Sequence, residues 1–250
     1  MRRAWRLDTL RKEKQFAQEA IMATQDELKK QAAAQAVAMV RPNTVLGVGT
    51  GSTVAFFIDL LGARNQQTPL NLKAIVTTSN RSKEQLEQNG FTVSELADID
   101  QVDLCIDGAD RVDHHLDGIK GGGGALTLEK NVAINAKHNV WIVDQSKVVD
   151  RLGGFPLPVE VLPVSCEQNF RRFEAQGLQP AYRLKADGSR YVTHYGNYII
   201  DLHVDPLPIP AGLAAMLDST VGVVEHGLFL GMTDEVLIAT ESKIEHWTRR

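Results

Sequence analysis

Apolar runs alternate with helix-forming stretches over most of the chain, and this alternation restricts the fold more than any other feature. The runs predict strands at residues 44–48, 72–76, 102–106 and 139–143, and helices are predicted between them at 53–61, 82–88 and 125–136. Strands that alternate with helices at this spacing form βαβ units. The sequence therefore predicts an α/β fold with a Rossmann-like, mainly parallel sheet.

A capping box marks the start of an earlier helix. Thr24 and Glu27 have the spacing at which two side chains cap a helix N-terminus reciprocally. This helix is predicted to run towards Met39, where Arg41-Pro42-Asn43 ends it. Residues 1–22 are polar and are interpreted as an N-terminal extension.

The pattern changes after Gly153-Gly154-Phe155-Pro156. The order predicted from there is a strand at 159–162, a helix at 166–176, a hairpin at 182–204 that turns at Asp187-Gly188, a helix at 211–217 and a strand at 223–230. This β-α-β-β-α-β order matches the ferredoxin-like plan, and residues 235–239 are expected to return to the first sheet. We expect a catalytic α/β domain of residues 23–152 and 231–250, and a smaller ferredoxin-like α+β lid domain of residues 153–230.

Composition and charge argue against several classes of protein. The formal net charge of −4 argues against a nucleic-acid partner. No apolar run is long enough to cross a bilayer, and the basic start lacks the apolar stretch of a signal peptide. Cys105 and Cys166 stand far apart, which fits a reducing compartment, so a cytoplasmic location is expected.

A glycine-rich turn at residues 47–53 joins a predicted strand to a predicted helix. Glycines let the backbone approach an anion, and a helix N-terminus offers free N–H groups. The hydroxyls of Thr50, Ser52 and Thr53 add donors, so the turn fits a phosphate. A tight turn with Ser52 as N-cap is the alternative, while a dinucleotide site is disfavoured because Ser52 fills the third glycine position.

Two carboxylates and a second glycine run follow another predicted strand. Asp107 and Asp110 come directly after residues 102–106, where an ordinary turn is the alternative interpretation. Lys120 precedes four glycines, at residues 121–124, that lead straight into a helix. This arrangement favours an oxyanion cradle of backbone N–H groups over a flexible linker.

Glu129 is predicted to lie on an apolar helix face. Such surroundings raise the pKa of a carboxyl group and suit a general base, although pairing with a basic group fits the sequence equally well. Lys147 follows the strand at 139–143 and either neutralises a phosphate or is an ordinary solvated lysine. His114 and His115 have no third ligand at a useful spacing, so no metal site is predicted.

Together these segments resemble ribose-5-phosphate isomerase of the A type. The resemblance rests on residues 24–30, 47–53, 107–110, 119–130, 144–147 and 155–161. It implies interconversion of D-ribose 5-phosphate and D-ribulose 5-phosphate through an enediolate, in the non-oxidative pentose phosphate pathway. It also implies a homo-oligomer, with a homodimer expected, and a reaction without cofactor or metal.

The resemblance assigns roles to individual residues. Glu129 would move a proton between C2 and C1, Asp107 would assist ring opening, and Lys120 would stabilise the enediolate. The substrate and its phosphate would be bound by Thr50, Gly51, Ser52, Thr53, Asp107, Gly108, Ala109, Asp110, Lys120, Gly121, Gly122, Gly123 and Lys147, with Lys29 as a further candidate.

Three places depart from the family pattern. Arg111 replaces an acidic residue, residues 77–80 lack the acidic side chain of some members, and Leu128 stands where a polar residue is common. The segment before Met22 has no counterpart in that pattern.

Two other kinds of function are alternatives. A sugar-phosphate-sensing regulator would need a DNA-binding module, for which the stretch before Met22 is too short. A related amino-sugar-phosphate deaminase or coenzyme A transferase is the second alternative. The combination of Asp107-Gly108-Ala109-Asp110 with the lysine–glycine run favours the isomerase.

Overall fold

The computed structural model describes residues 24–249 and has a six-stranded central sheet. Its strands are β1 (Val45–Val48), β2 (Ala74–Thr77), β3 (Leu104–Asp107), β6 (Asn139–Asp144), β12 (Glu235–Ala239) and β13 (Ile244–Thr248). They lie in the order β13-β12-β6-β3-β1-β2, and every neighbouring pair is parallel except β12 and β13. The predicted α/β fold is confirmed, and β12 returns to this sheet as expected.

Within residues 24–249, four helices accompany these strands: α1 (Gln25–Met39), α2 (Ser52–Gln67), α3 (Asn80–Gln88) and α4 (Leu126–Ile134). The capping box of α1 is present, because the Glu27 N–H donates to Thr24 Oγ1 over 3.2 Å and the Thr24 N–H donates to Glu27 Oε2 over 2.6 Å. Small residues of α1, such as Ala32 and Ala36, share one buried core with α2 and the sheet. Residues 1–22, predicted to be an extension, lie outside the described residues.

A second, antiparallel sheet has the order β10-β7-β9-β8. Its strands are β7 (Leu157–Val161), β8 (Pro180–Tyr182), β9 (Tyr198–Leu202) and β10 (Val223–His226), with helices α5 (Cys166–Ala175) and α6 (Pro210–Asp218) between them. Sequence order and strand order together give the ferredoxin-like plan that was predicted. The exact boundaries of the two domains stay a prediction.

The predicted single strand at 223–230 is wrong. The chain leaves β10 at His226, and β11 (Leu228–Phe229) joins a third sheet with β5 (Gly118–Ile119) and β4 (Arg111–Val112). Gly227 makes the crossing: its carbonyl accepts the Lys120 N–H over 2.9 Å, and its own N–H donates to Pro158 O over 2.8 Å. A Cβ at Gly227 would lie 2.3 Å from Lys120 O, so two sheets meet where only glycine fits.

The predicted hairpin at 182–204 is more elaborate than expected. Its turn at Asp187-Gly188 forms, with the Gly188 N–H bonded to Lys185 O. A second turn follows, in which the Gly196 N–H donates to Thr193 O over 3.0 Å. Residues 183–197 therefore form a doubled-back segment between β8 and β9 instead of two long strands. We call residues 183–197 the crossing segment.

Candidate active site

A cavity of about 120 Å³ lies at the carboxyl ends of the parallel strands. In sheets of this kind the loops at those ends form the ligand site. Every residue that the sequence proposed for substrate binding lines it except Asp107 and Lys29, and Glu129 lines it as well. The lining residues are Thr50, Gly51, Ser52, Thr53, Gly108, Ala109, Asp110, Lys120, Gly121, Gly122, Gly123, Glu129 and Lys147.

Lys120 lies between two carboxylates beside this cavity. Its Nζ is 2.9 Å from Asp107 Oδ2 and 3.6 Å from Glu129 Oε2, and it donates to Gly108 O over 2.6 Å. All three side chains are buried. Burial lowers the pKa of Lys120, but the charges of Asp107 and Glu129 outweigh it, so the net pKa is raised and the ammonium stays charged.

Glu129 has an unusual carboxyl group. Within residues 24–249 its Oε2 has no hydrogen-bond partner, and the side chain is 5% exposed. Burial raises the pKa of Glu129 to about 8, against the opposing effect of Lys120 and with support from Asp107 and Asp110. Glu129 is therefore buried and also lies beside a lysine, while its role as a general base stays a prediction.

Asp107 fixes two loops to each other. Its Oδ1 accepts N–H groups from Thr50, over 3.0 Å, and from Gly108, over 2.7 Å. A Cβ at Gly49 would lie 1.8 Å from this same oxygen, so the first glycine turn can approach only because residue 49 has no side chain. Asp107 is buried and is not among the residues that line the cavity.

The N-terminus of α2 opens on the cavity. Its N-cap is Gly51, with φ of +126°, and no side chain of the described chain caps it. The alternative with Ser52 as N-cap is therefore wrong, since Ser52 is the first helical residue. Uncapped N–H groups at a helix start are suited to binding an anion.

The Thr50 side chain is hydrogen-bonded to two hydroxyl groups that the sequence analysis did not identify. Its Oγ1 lies 2.7 Å from Thr78 Oγ1 and donates to Ser79 Oγ over 2.8 Å. These two residues belong to the stretch that departs from the family pattern. A hydroxyl network occupies this place in the present chain.

The second glycine run is bonded on both sides. The Gly122 N–H donates to Asp110 Oδ2 over 2.8 Å, and the Gly124 N–H donates to Gly121 O over 2.9 Å. Residues of the crossing segment bind the carbonyls: Arg183 reaches Gly121 and Gly122, and the Tyr191 hydroxyl reaches Gly123. Sequence reasoning missed Arg183 and Tyr191, because nothing in their neighbourhood points to a contact so distant along the chain.

Two of the basic residues are placed differently from Lys120. Lys29 is 3.2 Å from Asp26 on α1 and does not line the cavity. Arg111 donates to the carbonyls of Asp110 and Gly154 and lies over the Phe155 ring, 5.6 Å from its centre. Among the ion pairs of residues 24–249 none joins Arg111 to the Asp110 carboxylate. The arginine at position 111 therefore does not pair with the charge of Asp110.

One group of potential metal ligands lies apart from the cavity. Asp218, Glu225 and His226 bring ligand atoms within 4.8 Å of one another. The Lys130 ammonium is bonded to Glu225 and donates to His226 O over 2.7 Å. A cation is thus already present in this cluster, and none of the three residues lines the cavity.

No helix within residues 24–249 is both long enough and apolar enough to span a membrane.

Comparison with known proteins gives consistent matches. A sequence model of the family "Ribose 5-phosphate isomerase A (phosphoriboisomerase A)" matches residues 74–243. Ribose-5-phosphate isomerase A of Lactobacillus johnsonii is 70% identical over 227 residues, which are 90% of this chain and 98% of that protein.

Two solved structures are similar over nearly their whole length. Ribose 5-phosphate isomerase A from Neisseria gonorrhoeae is 39% identical, with a TM-score of 0.85, and the match covers 92% of this chain and 99% of that one. A D-ribose-5-phosphate isomerase in complex with phospho-erythronic acid is 31% identical, with a TM-score of 0.87, and the match covers 91% of this chain and 100% of that one.

Proposed function

This chain belongs to the ribose-5-phosphate isomerase A family, and from that premise we propose which of its residues carry the reaction. The reaction is the interconversion of D-ribose 5-phosphate and D-ribulose 5-phosphate in the pentose phosphate pathway. The regulator, deaminase and transferase alternatives receive no support from these matches. The chemistry requires a base for C2 and C1, a stabiliser for the enediolate and an anchor for the phosphate.

The observation that carries the assignment of the base is the buried carboxylate of Glu129, a residue that lines the cavity. Its Oε2 accepts no hydrogen bond within the described residues, and Lys120 Nζ lies 3.6 Å from it. A carboxyl group whose pKa is raised to about 8 is accessible in both forms near neutral pH. Glu129 can therefore take a proton from one carbon and return it to the next.

Lys120 is proposed to stabilise the enediolate. Its ammonium is held charged beside Glu129, so positive charge is already in place where the oxyanion develops. The geometry supports a role for Asp107 in holding Lys120 and the first glycine turn. Its participation in ring opening stays a prediction.

The phosphate is proposed to bind at the start of α2. Free N–H groups there, the hydroxyls of Ser52 and Thr53, and Lys147 line one part of the cavity. A related enzyme has been solved with phospho-erythronic acid, a phosphorylated sugar acid. We expect this chain to bind the same compound, because its carboxylate places two oxygens on one planar carbon, as an enediolate does on two.

The test is ketose formation from D-ribose 5-phosphate by the full chain and by Glu129→Gln. We expect the variant to bind phospho-erythronic acid but to lose about 10²–10⁴-fold in kcat, the usual contribution of a general base. Glu174→Gln, an exposed glutamate on α5, is the matched control and should remain fully active. Near-normal turnover of Glu129→Gln would remove Glu129 from the mechanism, and an inactive wild-type chain would overturn the function itself.

We further propose a homo-oligomer, with a homodimer expected, working in the cytoplasm. Both cysteines are free and buried, as suits a reducing compartment. The side chains of Val164 and Val221 are 83% and 86% exposed, and exposed apolar side chains favour a subunit contact. Light scattering on the purified protein measures the molar mass, and the mass of one chain would exclude the assembly.

A further inference from the structure

The ferredoxin-like part of the chain holds the glycine run by its carbonyl groups. Arg183, just after β8, donates from Nη1 to Gly121 O over 2.9 Å and to Gly122 O over 3.0 Å. The Tyr191 hydroxyl donates to Gly123 O over 3.3 Å. Three successive carbonyls of the run are thus bonded to the crossing segment.

Arg183 is itself fixed before it reaches the glycines. Its Nε donates to Asp201 Oδ2 over 2.9 Å, and its Nη2 donates to Asp201 Oδ1, so the two side chains form a bidentate pair. Both side chains are mostly buried, at 14% and 15% exposed. A planar guanidinium held at one edge presents its remaining N–H groups in a fixed direction.

A hydrogen bond to a backbone carbonyl also fixes the direction of the N–H group of the next residue. In a trans peptide the C=O of one residue and the N–H of the next point in opposite directions. With Gly121 O on Arg183, the Gly122 N–H points away and meets Asp110 Oδ2. With Gly122 O on the same guanidinium, the Gly123 N–H also points away from Arg183, and within residues 24–249 it donates to no other group.

We propose that Arg183 is a positioning residue that aims the Gly123 N–H at the oxygen that becomes negative in the enediolate. Gly123 lines the cavity with Lys120 and Glu129, so its N–H and the Lys120 ammonium act on the same charge from two sides. A donor placed in advance is effective because it needs no reorganisation when the charge develops. This inference rests on the proposed function, since it needs an enediolate in the cavity.

The first experiment compares the kinetics of Arg183→Lys with those of the wild type. Lysine keeps the positive charge but cannot bond Asp201 at two oxygens and two carbonyls at once. We expect kcat to fall by about 10-fold or more, below the 10²–10³-fold typical of removing an oxyanion donor outright, while KM changes by less than about threefold. Arg190→Lys is the matched control, because Arg190 lies in the same segment but bonds to Glu167 and not to the glycine run.

The second experiment separates positioning from a general structural effect. Inhibition constants are measured for phospho-erythronic acid, which carries a carboxylate in place of the enediolate, and for inorganic phosphate, which does not. In Arg183→Lys the constant for the acid should rise about 10-fold, as expected when one donor to a charged oxygen is misplaced, and that for phosphate should stay within about twofold. An equal rise for both ligands, or an unchanged kcat, overturns the proposal.

Asp201→Asn provides a variant that keeps Arg183. It removes the charge that fixes the guanidinium, so it should shift the two inhibition constants in the same selective way. If Arg183→Lys does not fold, this variant decides alone, and an unselective effect counts against the proposal. A wild-type chain without isomerase activity would contradict the proposed function, whereas an active wild type with unaffected variants contradicts the positioning role only.

Discussion

Glu129 Oε2 is buried beside the cavity without a hydrogen-bond partner among the described residues. A carboxyl group in such a place favours its neutral form, and that preference is what makes it a useful base near neutral pH. The same preference acts on folding. Glu129, the residue that we assign to proton transfer, should therefore reduce the stability of the protein at pH values at which a glutamate is normally ionised.

The sign of this effect follows from the two pKa values. The ordinary pKa of a glutamate is 4.5, whereas that of Glu129 is raised to about 8 in the folded chain. Between these values the folded chain holds a proton that the unfolded chain has released, so stability falls as pH rises through this window. Glu129→Gln should match the wild type near pH 5 and exceed its thermal midpoint at pH 8.

Thermal midpoints of the two proteins at pH 5 and pH 8 measure this prediction. Each kcal/mol of difference corresponds to about 2–4 °C for a chain of this size. Glu174→Gln serves again as control and should show no gap that depends on pH. A difference in thermal midpoint between Glu129→Gln and wild type that is the same at both pH values would show that the ionisation of Glu129 does not affect folding.

Lys147 lies in a short 3-10 turn, Gln145–Lys147, directly after β6. It lines the same cavity as the start of α2, where the phosphate is proposed to bind. Because the phosphate takes no part in bond changes, its binding is similar in ground and transition states. Lys147→Ala should therefore raise KM about 10-fold or more and lower kcat much less.

Steady-state kinetics at several substrate concentrations separate these two parameters. Lys137→Ala is a suitable control, because Lys137 pairs with Asp103 and is absent from the cavity lining. Lowered kcat with unchanged KM in Lys147→Ala would place Lys147 at the reacting carbons instead.

At the scale of the secondary-structure elements, the site depends on how closely two strand ends approach. The turn after β1 contacts the carboxylate of Asp107 at the end of β3. That carboxylate leaves no space for a Cβ at Gly49. Gly49→Ala should displace Asp107 or the turn, reduce kcat/KM about 10²-fold or more, and destabilise the fold by about 1–3 kcal/mol, as overpacking does.

Gly212→Ala is the control for this substitution. Gly212 lies in α6, and a Cβ there meets only Ile209, at 3.4 Å and 3.7 Å, which the neighbour can accommodate. Alanine also favours a helix over glycine, so this variant should be as stable as the wild type and fully active. If Gly49→Ala behaves like Gly212→Ala, the close approach at Asp107 is unimportant for activity.

Local patterns predicted most elements and non-local contacts explain the exceptions. Strands such as β1, β3 and β6 have apolar runs, so the sequence predicted where they end. The residues selected near strand ends and in the glycine run include Asp107, Lys120 and Glu129, which are in contact in the structure. The break at Gly227 was missed because it depends on the approach of the Lys120 backbone, which no neighbouring residue indicates. Edge strand β13 was also missed.

The same limit applies to the site. Glycines, carboxylates and lysines at strand ends were found because each carries a local signal. Arg183 and Tyr191 reach the site from the crossing segment, whose second turn was not predicted. Their sequence surroundings are those of any exposed strand, so only the assembled fold identifies them.

At the scale of the whole molecule, the residues before Met22 allow a simple test. They carry basic side chains with little apolar periodicity, and the first described helix begins with its own capping box at Thr24. A chain that begins at Met22 should fold and isomerise ribose 5-phosphate like the full chain. Values of kcat/KM and the thermal midpoint should agree within about twofold and about 2 °C respectively.

Both chains would be purified and measured side by side. A large loss in either quantity for the shorter chain would show that residues 1–21 contribute to the core or to a subunit contact. If catalysis is unaffected but the shorter chain forms an oligomer with fewer subunits, residues 1–21 contribute to assembly alone.

The return of β12 to the central sheet has a consequence for biosynthesis. Strand β6 is buried along its whole length, and it pairs on one side with β12, from Val140 with Glu235 to Asp144 with Ala239. A ribosome-bound chain that ends before Glu235 already contains all the proposed catalytic residues, but one edge of β6 has no partner. Open apolar edges of this kind invite pairing with other chains. The catalytic residues are thus synthesised early, and the apolar edge of β6 must be protected until residues 235–239 have left the ribosome.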